Sequence, residues 1–176
     1  MELSLSLNKC VLLQIGYCDV SVSYYLSPNI LKTVSSYTDL GVNISASLKA
    51  SLHCTQIAKK ASARAKLILK CFLSKSTLNF VRAFKTYVRP LLEYACPVWN
   101  PNLLCDINLI ENVQRVFTRK VFILCNMPVL SYDKRLRILG LERLELRRLH
   151  FDLIELFKIV KHFTDSSIYL FCHLII

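Results

Sequence analysis

Glycine and proline are scarce in this chain, with three Gly and five Pro among 176 residues. That scarcity argues against a turn-rich sandwich or a disordered tail, and for long helices. Acid is scarce as well: 12 Asp and Glu against 23 Lys and Arg leave a net charge of +11. The acids are scattered (Asp39, Glu93, Asp106, Glu111, then Glu142 onward) and are expected mostly on solvent-facing helix positions. Two-metal phosphoryl or nucleotidyl transfer needs carboxylates held a few ångströms apart, so no catalytic constellation is expected. There is no GxxxxGK[ST] loop and no HExxH. The eight cysteines include no CxxC pair and no spaced Cys/His quartet, which excludes the usual zinc patterns. His53, His150, His162 and His173 have no partners at ligand spacing. No apolar run reaches the ~18–20 residues needed to span a bilayer, and Met1-Glu2 lacks the basic start of a secretory signal. Reduced thiols and an intracellular location, nucleus or cytoplasm, are the expectation.

What is present is apolar and basic. Hydrophobic residues make up 53% of the chain, enough for one domain with a sizeable core or a domain with a small appendage. The positive balance points to polyanions, nucleic acid first and anionic membrane second. The first 46 residues differ in kind from the rest. Leu3, Leu5 and Leu7 alternate with Ser4 and Ser6, and Val11 to Ile15 reads as a buried strand ended by Gly16. Ser21 to Leu26, Ile30 to Val34 and Leu40 to Ile44 complete a small β-rich piece. Three or four short strands without a covering layer are marginal alone, so this piece looks cut from a larger sheet.

From Ser47 the hydrophobic period changes to 3.6. On a helical wheel over residues 48–72, Ala50, Cys54, Ile57, Ala58, Ala61, Ala65, Ile68, Leu69 and Phe72 fall within an arc of roughly 120°. Lys49, Lys59, Lys60, Arg64, Lys66 and Lys70 lie opposite within roughly 160°, with no acid between Lys49 and Lys70. A solvated basic face and polynucleotide contact both fit this wheel. Membrane-surface binding is disfavoured, because the apolar face is Ala-rich and has only Phe72 to insert.

Val81, Phe84, Val88, Leu91, Leu92 and Ala95 recur at helical spacing through Phe84 to Pro101, the stretch with the only Trp and three of the five Pro. Ser76 is placed to cap this helix, Pro90 to kink it, and Pro97 and Pro101 to stop it. Asp106 is placed to cap the next helix, with Ile107, Ile110, Val113, Phe117, Val121 and Leu124 along one side and Pro128 after it. Glu111, Arg115 and Arg119 stand at successive i,i+4 positions, and Arg115, Arg119 and Lys120 form a second basic cluster. A short basic helix then runs through Ile138 to a break at Gly140. A long helix from about Leu141 to His162 follows, striped by Leu146, Leu149, Leu153, Leu156, Phe157 and Val160. Ile168 to Ile176 is short and apolar, fit to pack on the bundle or to remain a sticky end. The fold class expected is mainly α, a helical bundle with a small N-terminal β piece (α+β).

Thr86-Tyr87-Val88-Arg89-Pro90-Leu91-Leu92-Glu93-Tyr94-Ala95-Cys96-Pro97-Val98-Trp99-Asn100-Pro101, followed by Ile110 to Phe122, resembles a segment of reverse transcriptases of non-LTR retrotransposons, the jockey-like LINE elements in particular. Ser6 to Leu12 resembles palm motif D, with Lys9 where the family's lysine approaches the incoming triphosphate. Tyr37 to Val42 resembles the Leu-Gly palm–thumb junction, and Tyr132 with Arg135 to Arg148 resembles the segment beyond the thumb. The resemblance implies a palm remnant over 1–46, a helical thumb-like region over 47–130, post-thumb helices over 131–163 and a divergent tail over 164–176. It implies a parent RNA-directed DNA polymerase that uses Mg2+, whose metal-binding aspartates precede Met1 in the family order. The chain is thus expected to be a truncated fragment, inactive alone, holding no cofactor, with Lys9 in no catalytic role. Lys49, Lys59, Lys60, Arg64, Lys66, Lys70, Arg115, Arg119 and Lys120 would touch a primer–template backbone. The alternative is a helical protein–protein interaction module whose apolar faces bind a partner helix or self-associate, or a non-functional pseudogene product.

Overall fold

A computed structural model describes Ser6 and residues 9–16, 23–26, 28–73 and 75–163. The Leu-Ser alternation at the start, Leu7 and Asn8 of the motif-D-like stretch, Ser21 and Val22, and the tail from Thr164 onward lie outside the described residues. The protein is mainly helical with a small N-terminal β piece, as composition and periodicity indicate. It divides into two compact units, residues 1–53 and 54–176.

Among its described residues the first unit holds six short strands in three pairs. Strand β1 (Val11–Leu13) lies parallel to β4 (Lys32–Val34), while β2 (Tyr25–Leu26) turns directly into β3 (Asn29–Ile30). Strands β5 (Ser36–Asp39) and β6 (Val42–Ser45) form a hairpin. Its turn is Leu40-Gly41, not strand as the apolar pattern suggests. Both residues take positive φ, 46° and 87°, which matches the twist of a two-residue hairpin loop. Ile15, expected in a buried strand, is outside β1 and exposed. The Tyr37 hydroxyl reaches the Lys9 carbonyl at 3.5 Å, and the Asn43 amide donates to His53 Nδ1 at 3.1 Å. His53 is thereby a satisfied, buried histidine.

Helix α1 (Ser51–Cys71) leads into the second unit, whose remaining helices are α2 (Thr77–Ala83), α3 (Arg89–Glu93), α4 (Cys96–Trp99), α5 (Leu104–Leu124), α6 (Tyr132–Leu139) and α7 (Leu144–Val160). Between α2 and α3 the chain widens into a π-helical turn, Phe84–Val88, closed by the Arg89 amide on the Phe84 carbonyl. Pro90 explains it: an α-helical path would drive its ring into the carbonyl four residues back, and the wider turn removes that clash. The buried line runs in strict steps of four, Phe80, Phe84, Val88, Leu92 and Cys96, each 1% exposed or less. A regular helix would drift off such a line. The wide turn restores it, and it leaves Leu91 and Ala95 only half-buried.

Pro97 does not stop this helix. The break comes earlier, at Tyr94 and the left-handed Ala95, and Pro97 sits in the first turn of α4, where its missing donor costs nothing. Trp99 is buried there with its indole N–H on the Tyr94 carbonyl at 2.8 Å. Ser76 occupies the N-cap position of α2 but makes no side-chain cap bond. Asp106 does not cap α5 either: the helix begins at Leu104, and Asp106 is buried within its first turn. The core joins Phe84 stacked on Phe117 at 4.7 Å to a cluster of Val81, Phe122, Leu136, Leu139 and Leu141. Helix α6 ends on Gly140, left-handed at φ 58°, with the Gly140 and Leu141 amides bonded back to Arg137 and Leu136.

Helix α7 departs most from expectation. It is shorter than 141–162, and the stripe of Leu146, Leu149, Leu153, Leu156, Phe157 and Val160 faces solvent, each residue between 40% and 56% exposed. Its buried residues are Leu144, Arg148 and Ile159. Polar bonds orient it. Glu111, expected to support its own helix by pairing with Arg115, is instead buried. It accepts the Tyr132 hydroxyl and caps α7, taking the amides of Leu144 at 2.9 Å and Glu145 at 3.3 Å. Arg147 forks onto Glu93, Arg148 Nε donates to Asn100 Oδ1 at 3.2 Å, and Asn100 donates to Asp152. Buried Asp106 and Glu111 correct the expectation that the acids lie mostly on solvent-facing positions.

Candidate nucleic-acid interface

Helix α1 has Ala and long-chain residues at most positions, all good helix formers, and only Ile57 and Ile68 as bulky β-branched residues. Its inward stripe is as the wheel indicates. Cys54, Ile57, Ala58, Ala61, Ala65 and Ile68 are all at most 8% exposed. Leu69 is half-buried, and Phe72 lies beyond the helix, its ring 5.8 Å from that of Phe80.

Lys59, Lys60, Arg64, Lys66 and Lys70 are all exposed. The structure sorts them into two groups. Lys59, Lys66 and Lys70 stand on one line along α1, with axial rises of about 10 and 6 Å between them. They border two adjoining hollows between α1 and α5 that share Ala63, Lys66, Leu69 and Lys120. One, of about 520 Å3, is lined by Leu67, Leu69, Ile123 and Leu124 with Lys66, Lys70 and Lys120. The other, of about 400 Å3, adds Lys59 over a floor of Ala58, Val113, Val116 and Phe117. No carboxylate lines either hollow. Lys120, read from sequence as part of a separate cluster, thus meets the lysines of α1.

Lys60 and Arg64 line neither hollow. Arg115 and Arg119 are exposed, but the Arg115 guanidinium sits 5.2 Å from the centre of the Tyr132 ring, whose other cation is Arg135 at 5.6 Å. Burial lowers the Arg135 pKa, and Arg119 and Arg115 lower it further while Tyr132 opposes them. Lys49 precedes α1 in the first unit and is exposed, its carbonyl accepting from the Ser45 hydroxyl at 3.2 Å. Lys9 is exposed too. The joining of Lys120 to the α1 lysines needed the packing of α1 on α5, which no single-helix wheel contains.

The buried thiols of Cys54 and Cys96 are ill-suited as nucleophiles. Burial pushes Cys54 up to about 12 and Cys96 up to about 11, with Asp106 beside the first and Asp152 beside the second adding to it. Tyr132 is likewise raised, by burial and then by its hydrogen bond to Glu111. Among the described residues no three His, Cys, Asp or Glu converge on a point that could hold a metal ion, and no helix is long and apolar enough to cross a membrane.

No family model matches the chain, and no solved structure does. It is 32% identical to an uncharacterized protein of Caenorhabditis elegans over 98 residues, 56% of this chain and 50% of the other. The chain therefore spans about half the length of the curated relative it matches. That likeness carries no activity with it.

Proposed function

We propose that this chain holds the phosphate backbone of a nucleic-acid duplex through Lys59, Lys66 and Lys70 of α1 and Lys120 of α5, as the palm-end and thumb portion of a non-LTR retrotransposon reverse transcriptase would. The observation that carries it is four lysines from two helices around one pair of hollows without a carboxylate among the lining residues. The net charge of +11 and the resemblance of Thr86 to Pro101 support it. Lys60, Arg64, Arg115 and Arg119 extend the positive field outside the hollows. The recognition proposed is of charge and phosphate spacing. The reading assigns strand holding, not strand extension: Glu111 is engaged in capping α7 and Glu93 by Arg147.

Such binding weakens steeply with salt, because each neutralised phosphate releases counterions. The test is an RNA–DNA hybrid titrated by fluorescence anisotropy between about 50 and 200 mM salt. Affinity falling linearly on a log–log plot supports the reading. Affinity indifferent to salt, or no binding at the lower concentration, overturns it. The exposed stripe of α7 favours a second and compatible role in association between protein chains.

A further inference from the structure

We infer that the outer face of α7 is a self-association seam, on which a second copy of this chain docks in parallel through the same helix. The stripe is spaced as a heptad. Leu146, Leu153 and Val160 stand seven apart, and Leu149 and Leu156 fall between them in the alternating 3,4 rhythm of a coiled-coil seam. It runs some 21 Å along the helix, and no charged residue interrupts it. Residues at that spacing usually face a core. Here they are exposed, because Glu111, Asn100 and Glu93 hold the polar side of α7 inward.

Area and charge both fit a second copy. Six side chains exposed by 40–56% leave roughly 500 Å2 of apolar surface, or about 1,000 Å2 across a pair, the threshold for a specific interface. Because α7 is already folded and capped, pairing does not carry the nucleation cost that makes short isolated coiled coils unstable. The flanks select the orientation. One flank carries the exposed Glu145, and the other carries His150 and Phe157. In a parallel pair Glu145 of one copy meets His150 of the partner subunit, a contact that antiparallel pairing does not make. None of these residues belongs to the lysine-lined hollows, so the seam stands or falls independently of nucleic-acid binding.

Sedimentation equilibrium of the full chain tests the seam. The mass should climb from 20.3 kDa towards twice that value with concentration. Leu149→Glu and Leu153→Glu should each weaken association a hundredfold or more, with far-ultraviolet circular dichroism unchanged because both sites are exposed in the single chain. Glu145→Lys should weaken it several-fold, and adding His150→Glu should restore it. A single-chain mass at all concentrations overturns the proposal, as does undiminished association of either leucine variant. Failure of the charge swap to restore pairing overturns the parallel arrangement. If only a chain ending at Phe163 associates, the stripe belongs to residues 164–176 and not to a second copy.

Discussion

Helices α1 and α7 are both long and amphipathic, yet they face opposite ways. Helix α1 buries Cys54, Ile57, Ala61, Ala65 and Ile68 and shows lysines to solvent. Helix α7 buries Arg148, half-buries Asp152, and shows seven apolar side chains, Ile154 beside the six of the stripe. An apolar stripe marks the face that favours burial, but not the neighbour that supplies it. On α1 the stripe finds its cover within the chain, as the burial of Cys54, Ile57, Ala61, Ala65 and Ile68 shows. On α7 the polar bonds of Glu111, Glu93 and Asn100 fix the opposite side inward, and the stripe is left for another surface.

The contrast breaks most easily at Glu111. Glu111→Ala removes the α7 cap and takes the acceptor from the Tyr132 hydroxyl, which keeps only the bond it accepts from Gln114, a loss of about 3 kcal/mol in urea unfolding. A loss under 1 kcal/mol would mean that α7 is oriented by something else. Next comes the packed side of α1. Ala61→Leu forces three carbons into a site with no exposed surface and should cost about 2 kcal/mol. Leu153→Gln on α7, measured at concentrations too low for pairing, should change stability by less than about 0.5 kcal/mol. Equal effects at the two sites would erase the distinction between a covered and an uncovered stripe.

Alkaline pH sharpens the comparison at the thiols. Burial raises Cys54 and Cys96, so both stay protonated in the folded chain while their unfolded counterparts ionise near 9.0. The stability they contribute is complete below pH 9 and is lost as pH rises from there towards 11. Cys54→Ala should remove about 1.4 kcal/mol of that decline in total between pH 8 and pH 10, read from urea midpoints taken at pH 8, 9 and 10 with reductant present. An unchanged slope would place Cys54 in a wetter site than the structure gives it.

Much of the fold is legible in the sequence, and the illegible parts have physical causes. The 3.6 period from Ser47 onward marks α1 within four residues, and Gly140 ends α6 because it accepts φ 58° at low cost. Pro90 signals a disturbance, but a π turn in place of an open kink depends on keeping Phe80, Phe84, Val88 and Leu92 in one line. The i,i+4 spacing of Glu111 and Arg115 looks like a surface pair. Only the approach of α6 and α7 turns that carboxylate inward, because three donors outbid one exposed guanidinium. Of the basic residues, exposure was readable from the wheel of α1. The meeting of Lys120 with Lys66 and Lys70 was not, since it lies between helices some fifty residues apart.

The most direct test of the lysine-lined interface compares two variants on one RNA–DNA hybrid across a salt series. Lys66→Gln/Lys70→Gln/Lys120→Gln should flatten the slope of log affinity against log salt by about 2 to 3, whereas Arg115→Gln/Arg119→Gln should change it by less than about 1. A triple variant that keeps the wild-type slope and affinity would contradict the account.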